Sequence, residues 1–442
     1  MEFKQYPSYK NSGVEWLGDV PEHWNTKPTK YCFKLITDKA IENNSEVLLS
    51  VYTDIGVKPR SELEERGNKA STTDGYWIVK KGDIIVNKLL AWMGAIGLSN
   101  YSGVTSPAYD ILRIKYNYTP EYYNYLFRNG DMFTEFKRYS RGLMDMRLRL
   151  YFSEFGNIKL PVPSIDEQQK IVSFLDTETA RIDTLIAKQE KLIELLKEQR
   201  KSIISHAVTK GLNPNAPMKD SGVEWLGDVP EHWTVLKNRH IFNFSKGLSI
   251  TKENLQESGI PCVSYGEVHS KFGFEFDPEI NDMKFVSEEY LKTSKNCLLN
   301  SGDFIFADTS EDFEGSGNFS YLNSNSQVFA GYHTVIARLK SKQKPRFFAY
   351  IFDSNAHRKQ IQTQVKGIKV FSITQGILKD IYSWLPPVHE QDLIVEYLDN
   401  ECKKISLLKA KQIELIEKLK EYRSSIISHA VTGKIDVREF GA

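Results

Sequence analysis

Residues 12–24 read SGVEWLGDVPEHW, and residues 221–233 read SGVEWLGDVPEHW again, with every position identical, in a chain of 442 residues. A second duplicated block closes each half. EQQKIVSFLD (Glu167–Asp176) leads to RKSIISHAVT (Arg200–Thr209), and EQDLIVEYLD (Glu390–Asp399) leads to RSSIISHAVT (Arg423–Thr432). The closing blocks repeat at a constant offset of 223 residues and the openers at 209. The chain therefore reads opener, variable region, helix, and then the same order once more. Duplication on that scale outranks any single motif as evidence about architecture.

Each closing block follows a proline-containing segment, LPVPSIDEQ or LPPVHEQ, that suits a helix start. No Pro or Gly then intervenes before Gly211 and Gly433. From Asp166 to Thr209, at ~1.5 Å per residue, the first helix should be roughly 65 Å long. One heptad row runs Leu175, Ile182, Gln189, Leu196, Ile203 and is matched by Leu398, Ile405, Gln412, Leu419, Ile426. The flanking row runs Ile171, Glu178, Leu185, Leu192, Gln199 and is matched by Ile394, Glu401, Leu408, Leu415, Tyr422. Two matched heptad helices in one chain predict that they pack on each other along these rows. A parallel in-register pair would press Glu178 against Glu401 and bury like charges, so the pair is expected to be antiparallel. That makes the halves pseudo-twofold related, with the variable domains at opposite ends of a rod.

The totals set bounds. A chain of this length suggests two or three domains. Hydrophobic content of 40% and charged content of 26% are ordinary for a globular protein. The N-terminus has no apolar signal region, and no run approaches the ~18 apolar residues of a membrane span. A cytoplasmic protein without membrane association is expected. Cys32, Cys262, Cys297 and Cys402 are isolated, which reads as reduced thiols with no metal site. A net charge of +1 carries no global sign of nucleic-acid binding, so that function must rest on local patches.

The variable regions show short strand-like runs broken by turns, among them KGDIIVNKLL and AYDILRIKY in the first and SGDFIFADTS and GYHTVIARLK in the second. Gly82-Asp83 and Gly302-Asp303 each read as a tight turn entering an apolar strand. A basic stretch precedes each helix start. KRYSRGLMDMRLR holds Lys137, Arg138, Arg141, Arg147 and Arg149 against Asp145, and NAHRKQIQTQVKGIKV holds Arg358, Lys359, Lys366 and Lys369 without an acid. Arg141-Gly142 and Lys366-Gly367 fall at the corresponding turn. One basic run is ordinarily a solvated face; two at matching places point to a phosphate-gripping, base-reading edge. Lys88 and Trp92 from NKLLAWMG, and Tyr332 and His333, are weaker additions to the two edges.

Catalytic machinery is not evident. No phosphate loop, no GxGxxG opening a helix and no amino-methyltransferase Asn-Pro-Pro-Tyr/Phe is present. EGSGNF (Glu314–Phe319) lacks a third glycine, and DPEINDMK (Asp277–Lys284) reads as a surface turn despite a faint nuclease pattern. His23, His232, His206 and His429 lie inside duplicated blocks, where they read as packing or capping residues.

The opener, the LPxPxxxEQ-type helix start and the SIISHAVT close, each present twice, resemble the specificity subunit of type I restriction–modification systems over essentially the whole chain. The resemblance implies an α+β fold in which two mostly-β target recognition domains are separated by two long antiparallel coiled-coil helices. The expected boundaries are 1–160 and 213–384 for the recognition domains, and 161–212 and 385–442 for the conserved spacer helices. It implies a non-catalytic subunit in which each domain reads half of a bipartite double-stranded DNA site. The helices would space the halves and dock two methyltransferase subunits, with restriction/translocase subunits joining for cleavage. No cofactor is expected on this chain; S-adenosylmethionine, ATP and Mg would serve the partners. A stand-alone nuclease or methyltransferase, and a protein-only coiled-coil scaffold, are the alternatives. Such a job explains the duplication: two identical partners need the same scaffold, while an asymmetric site needs two different reading heads.

Overall fold

The computed structural model describes residues 3–62, 73–143, 147–367 and 369–440. It divides into two compact units, Met1–Glu190 with Ile413–Ala442, and Lys191–Gln412. Both divisions fall inside long helices, Ile165–Lys210 and Val388–Val431. Each unit therefore holds the start of one long helix, the end of the other and one variable domain.

The variable domains share an antiparallel core despite their different sequences. In the first unit the strand order is Phe33–Ile36, Tyr109–Ile114, Ile84–Asn87, Ile96–Leu98. In the second, Phe242–Lys246, Thr334–Leu339, Phe304–Ala307 and Phe319–Leu322 follow the same order, and Glu275–Phe276 adds a parallel edge strand. The second unit also carries a separate four-stranded sheet built around Ile260–Val263. The expected turns stand at the heads of the matched strands, with Gly82 at φ 94° and Gly302 at φ 90°. Their aspartates do more than turn the chain. Asp83 is buried and takes a two-pronged ion pair from Arg113 (2.8 and 2.7 Å), while Asp303 takes one from Arg338 (2.8 Å). Pairing of this kind keeps a buried carboxylate from costing the fold its desolvation energy.

The duplicated opener acts as a clamp. In the first unit Trp24 is fully buried and its indole N–H donates to Glu167 Oε1 (3.2 Å), while His23 Nε2 donates to the same carboxylate at 3.0 Å. In the second unit Trp233 and His232 do the same to Glu390, at 3.2 and 2.8 Å. The neighbouring glutamines complete the joint. Gln168 accepts from Thr119 N and donates to Pro163 O, and Gln391 accepts from Lys344 N and donates to Pro386 O. This assigns physical work to both letters of the repeated EQ.

The opener also holds the end of the other long helix. Lys434 donates to Leu17 O (3.1 Å) and Asp19 O in the first unit, and Lys210 donates to Asp228 O in the second. Asp19 and Asp228 are equivalent opener positions, reached by a lysine that follows the terminal glycine in one unit and precedes it in the other.

Within each unit the two helices run antiparallel. In the first, Lys170 donates to Arg438 O (2.8 Å) and Asp183 pairs with Arg423 (2.8 Å), so one number rises as the other falls. In the second, Ile204, Ala207 and Val208 share a buried core with Ile394 and Leu398. Leu175, Ile182, Leu196, Leu398 and Ile405 are buried as the principal heptad row requires, and Gln189, Gln412 and Leu419 are partly buried. The flanking row departs from expectation. Leu192, Leu408, Leu415 and Tyr422 are 40, 46, 40 and 36% exposed. A two-helix contact covers only a narrow stripe of each helix, and the second row falls outside it once the variable domains stop packing against the helices.

Candidate nucleic-acid interface

In the first unit, helix Gly130–Tyr139 is capped by the Asn129 side chain, which accepts from Asp131 N (3.3 Å). Beyond it the chain doubles back. Arg141 and Arg149 exchange backbone hydrogen bonds of 3.0 and 2.9 Å, closing a basic turn, and Leu150 N ties that turn to Lys88 O at 2.8 Å. Asp145, with Met144 and Met146, lies outside the described residues. The second unit repeats the plan. Helix Asn355–Gln362 is capped by Ser354, and Lys366 bridges to Ser372 across the next turn. At both turns glycine is required by close approach: a Cβ on Gly142 would lie 2.6 Å from Arg147 O, and one on Gly367 would lie 2.1 Å from Val370 O.

The expected contact residues divide into outward and inward groups. Lys137, Arg138, Arg141, Arg147 and Arg149 are exposed in the first unit, as are Lys359, Lys366 and Lys369 in the second. Lys137 lies over the half-buried Trp92 ring, 5.1 Å from its centroid. Arg138 is shared between Glu15 (3.1 Å) and Glu135 (3.4 Å), and Arg141 reaches Glu154 at 2.5 Å. Two cations turn inward instead. Lys88 donates to Pro107 O (2.9 Å) and pairs with Asp110 (3.4 Å), whose carboxyl is pushed up by burial against the pull of that lysine. Arg358 donates to Asn318 Oδ1 (2.9 Å) and faces Asp353, and burial lowers its guanidinium from its ordinary range. Its neighbour His357 is fully buried, and that burial pushes its imidazole down to about 3. Tyr332 is half-buried and His333 is exposed, with His333 Nδ1 3.1 Å from Asp308.

Sequence reading passed over the apolar tips of these turns. Leu143 is 97% exposed between Arg141 and Arg147, and Val370 is 54% exposed beside Lys369. An apolar residue at the crest of a basic run was the available signal, since apolar side chains contact thymine methyl groups in the major groove. Among the described residues no three His, Cys, Asp or Glu side chains converge as a metal site would need, and no helix is long and apolar enough to cross a membrane.

A family model described as the type I restriction modification DNA specificity domain matches the chain twice, over residues 21–195 and 230–418. The chain is 28% identical over 286 residues to the type I restriction enzyme MjaVIII specificity subunit of Methanocaldococcus jannaschii, covering 64% of each protein. It is 25% identical over 295 residues to the type I restriction enzyme EcoKI specificity subunit of Escherichia coli K12, covering 64% of this chain and 59% of that one. These alignments thus span somewhat less than two thirds of either relative. A solved structure described as showing complex assembly and conformational transition of the type I R-M system superimposes with TM-score 0.70 at 15% identity, over 93% of this chain and 98% of its own. The HsdS subunit from Thermoanaerobacter tengcongensis superimposes with TM-score 0.55 at 15% identity, over 94% and 98%. At that identity the two structures establish the fold.

Proposed function

The chain belongs to the type I restriction modification DNA specificity family, and from that premise we propose that it is the DNA-recognition subunit of a type I restriction–modification complex. Residues 1–160 and 213–384 each read one half of a bipartite double-stranded site, and the paired helices space the halves. The observation that carries this reading is the repeated basic turn. Arg141–Arg149 and Lys366–Ser372 are closed in the same way, at the same place on matched scaffolds, yet their side chains differ. Phosphate contacts from Lys137, Arg141, Arg147, Arg149, Lys359, Lys366 and Lys369 would set register, while groove contacts supply sequence preference.

The subunit is non-catalytic in this reading and binds no cofactor of its own. Methylation with S-adenosylmethionine, and cleavage with ATP and Mg, belong to two methyltransferase subunits and the restriction/translocase subunits. The exposed flanking row suits the docking of such partners, because contiguous apolar side chains on a helix surface are a common mark of an interaction site. Leu192 and Leu408 supply it in one unit and Leu415 and Tyr422 in the other, and Leu195, Leu407 and Ile413, outside that row, are exposed as well. A cytoplasmic location accords with this assignment.

Mapping methylated bases in cells that co-express the chain with its modification subunit tests the reading. A bipartite motif with two unrelated halves is the expected result. Turnover of DNA by the purified chain alone, with S-adenosylmethionine or Mg²⁺, would overturn it in favour of an enzyme.

A further inference from the structure

The second unit contains a cavity of about 610 Å³ whose lining includes Tyr265, His269, Thr309, Glu311, Asp312 and His333. It adjoins the basic turn. Strand Thr309–Ser310 pairs with Phe371–Ser372, so the segment that carries Glu311 and Asp312 continues directly from the partner of the Lys366–Lys369 turn, and Val370 also lines the cavity.

The polar wall is rigidly arranged. Arg358 donates to Asn318 Oδ1 (2.9 Å), the Asn318 amide donates to His269 Nδ1 (2.9 Å), and His269 Nε2 donates to Thr309 O (2.6 Å). That chain of donors fixes the His269 tautomer and uses both ring nitrogens. The ring itself stands edge-on to Tyr265, 6.2 Å away, and His333 lies 5.5 Å from Tyr265 on the same aromatic cluster.

What remains open to a ligand is mainly acceptor. Glu311 is an exposed carboxylate, and Asp312 carries a second, one of whose oxygens takes the Gly315 N–H. His333 Nδ1 lies 3.1 Å from the Asp308 carboxylate, and in the tautomer that donates there Nε2 is the acceptor nitrogen. His333 holds φ at 53°, a conformation uncommon for a side-chain-bearing residue. Among the described residues no lysine or arginine lines the cavity; the cations stand on the turn beside it.

We infer that this acceptor-lined cavity in the second recognition domain takes the exocyclic amino group of a nucleobase, with Glu311 as principal acceptor and His333 as the second, while Lys366 and Lys369 hold the adjoining phosphates. The inference rests on the DNA-recognition reading. The donor is the N6 amino group of adenine or the N4 amino group of cytosine, both presented in the major groove, where carboxylates accept from such groups.

The test uses the full chain in complex with its modification subunit, bound to a duplex carrying the methylation motif. Each adenine is replaced in turn by purine deoxyriboside and each cytosine by 2-pyrimidinone deoxyriboside, deleting one amino group at a time. One deletion, confined to a single half-site, should weaken wild-type binding about ten- to a hundred-fold. The same deletion should change binding of Glu311→Ala by less than about two-fold, because the partner is already gone. The purine and pyrimidinone arms separate adenine from cytosine. Equal losses in wild type and variant at every position, or no sensitive position, would overturn the inference. So would loss of all binding by both Glu311→Ala and the isosteric Glu311→Gln, which would place the residue in folding or assembly. Absence of any motif for the wild-type complex would instead strike the recognition reading itself.

Discussion

Trp24 and Glu167 meet through a 3.2 Å hydrogen bond across 143 residues of chain, and Trp233 and Glu390 repeat it at 3.2 Å across 157. This pair joins the opener to the helix start in each unit. It explains why the longest identical stretch in the chain lies so far from the second duplicated block: the two are one joint in space.

Replacing Glu167 with Gln should destabilise the first unit by about 1.5–3 kcal/mol at neutral pH, the usual worth of hydrogen bonds to a charged group. Burial pushes the Glu167 carboxyl up, but the hydrogen bonds from His23, Trp24 and Ser164 outweigh it and hold the group below its ordinary 4.5. A depressed carboxylate contributes stability that is present above its unfolded value and is lost as pH falls through the folded one. The gap between wild type and variant should therefore narrow below about pH 4.5, as followed by urea unfolding at a series of pH values.

Gly433→Ala should cost more than Gly211→Ala, although both glycines end long helices at φ 74° and 73°. A Cβ on Gly433 would meet Pro21 at 2.4 and 2.8 Å, a ring that cannot rotate away. On Gly211 the nearest atom is Glu390 Oε1 at 3.0 Å, a looser approach than either Pro21 carbon makes to Gly433. The left-handed backbone alone should cost about 1 kcal/mol in either variant. Thermal melts of the two variants, compared with wild type, give the order.

Arg141→Ala with Arg147→Ala should weaken reading of one half-site and leave the base preference of the other intact, since each basic turn belongs to its own unit. Each phosphate-binding cation removed should lower the magnitude of the slope of log K against log salt by ~0.9, so the double variant should lower it by about 1.8. Selection of preferred sites from random DNA, with binding measured over a salt series, reads both. Equal loss of preference in both halves would refute independent heads.

Residues 1–215 alone should pair as an antiparallel dimer. Asp183, which pairs with Arg423 in the intact chain, would meet Arg200 of a second copy, the repeat equivalent of Arg423. Two identical heads related by a twofold axis should read an inverted repeat of the first half-site. Co-expression with the modification subunit and sequencing of methylated sites would show it. A direct repeat, or a soluble monomer, would count against the matched heptads.

The sequence suffices for the repeat order, both long helices, the turns at Gly82 and Gly302 and the matched basic turns. Each of these is written locally: helix period, absence of Pro and Gly, turn residues before an apolar run, or literal duplication. It also determined helix direction, because Glu178 and Glu401 would collide in a parallel seam. Tertiary structure alone decided what the charged residues do. Nothing beside Arg358 in sequence announces Asn318 as its partner, and nothing beside Lys88 announces Asp110 or Pro107, so one cation of the second basic stretch and Lys88 turn inward while the other expected cations face out. The flanking heptad row is apolar by sequence, yet Leu192 and Leu408 are exposed, because a row is buried only where a second surface reaches it. The cavity beside His333 is likewise invisible in the chain: its wall comes from segments near 265–270, 309–312, 318 and 333, brought together only by the tertiary fold. Hydrogen-bond partners and cavity walls depend on which distant segments meet, and periodicity and turn chemistry carry no record of that.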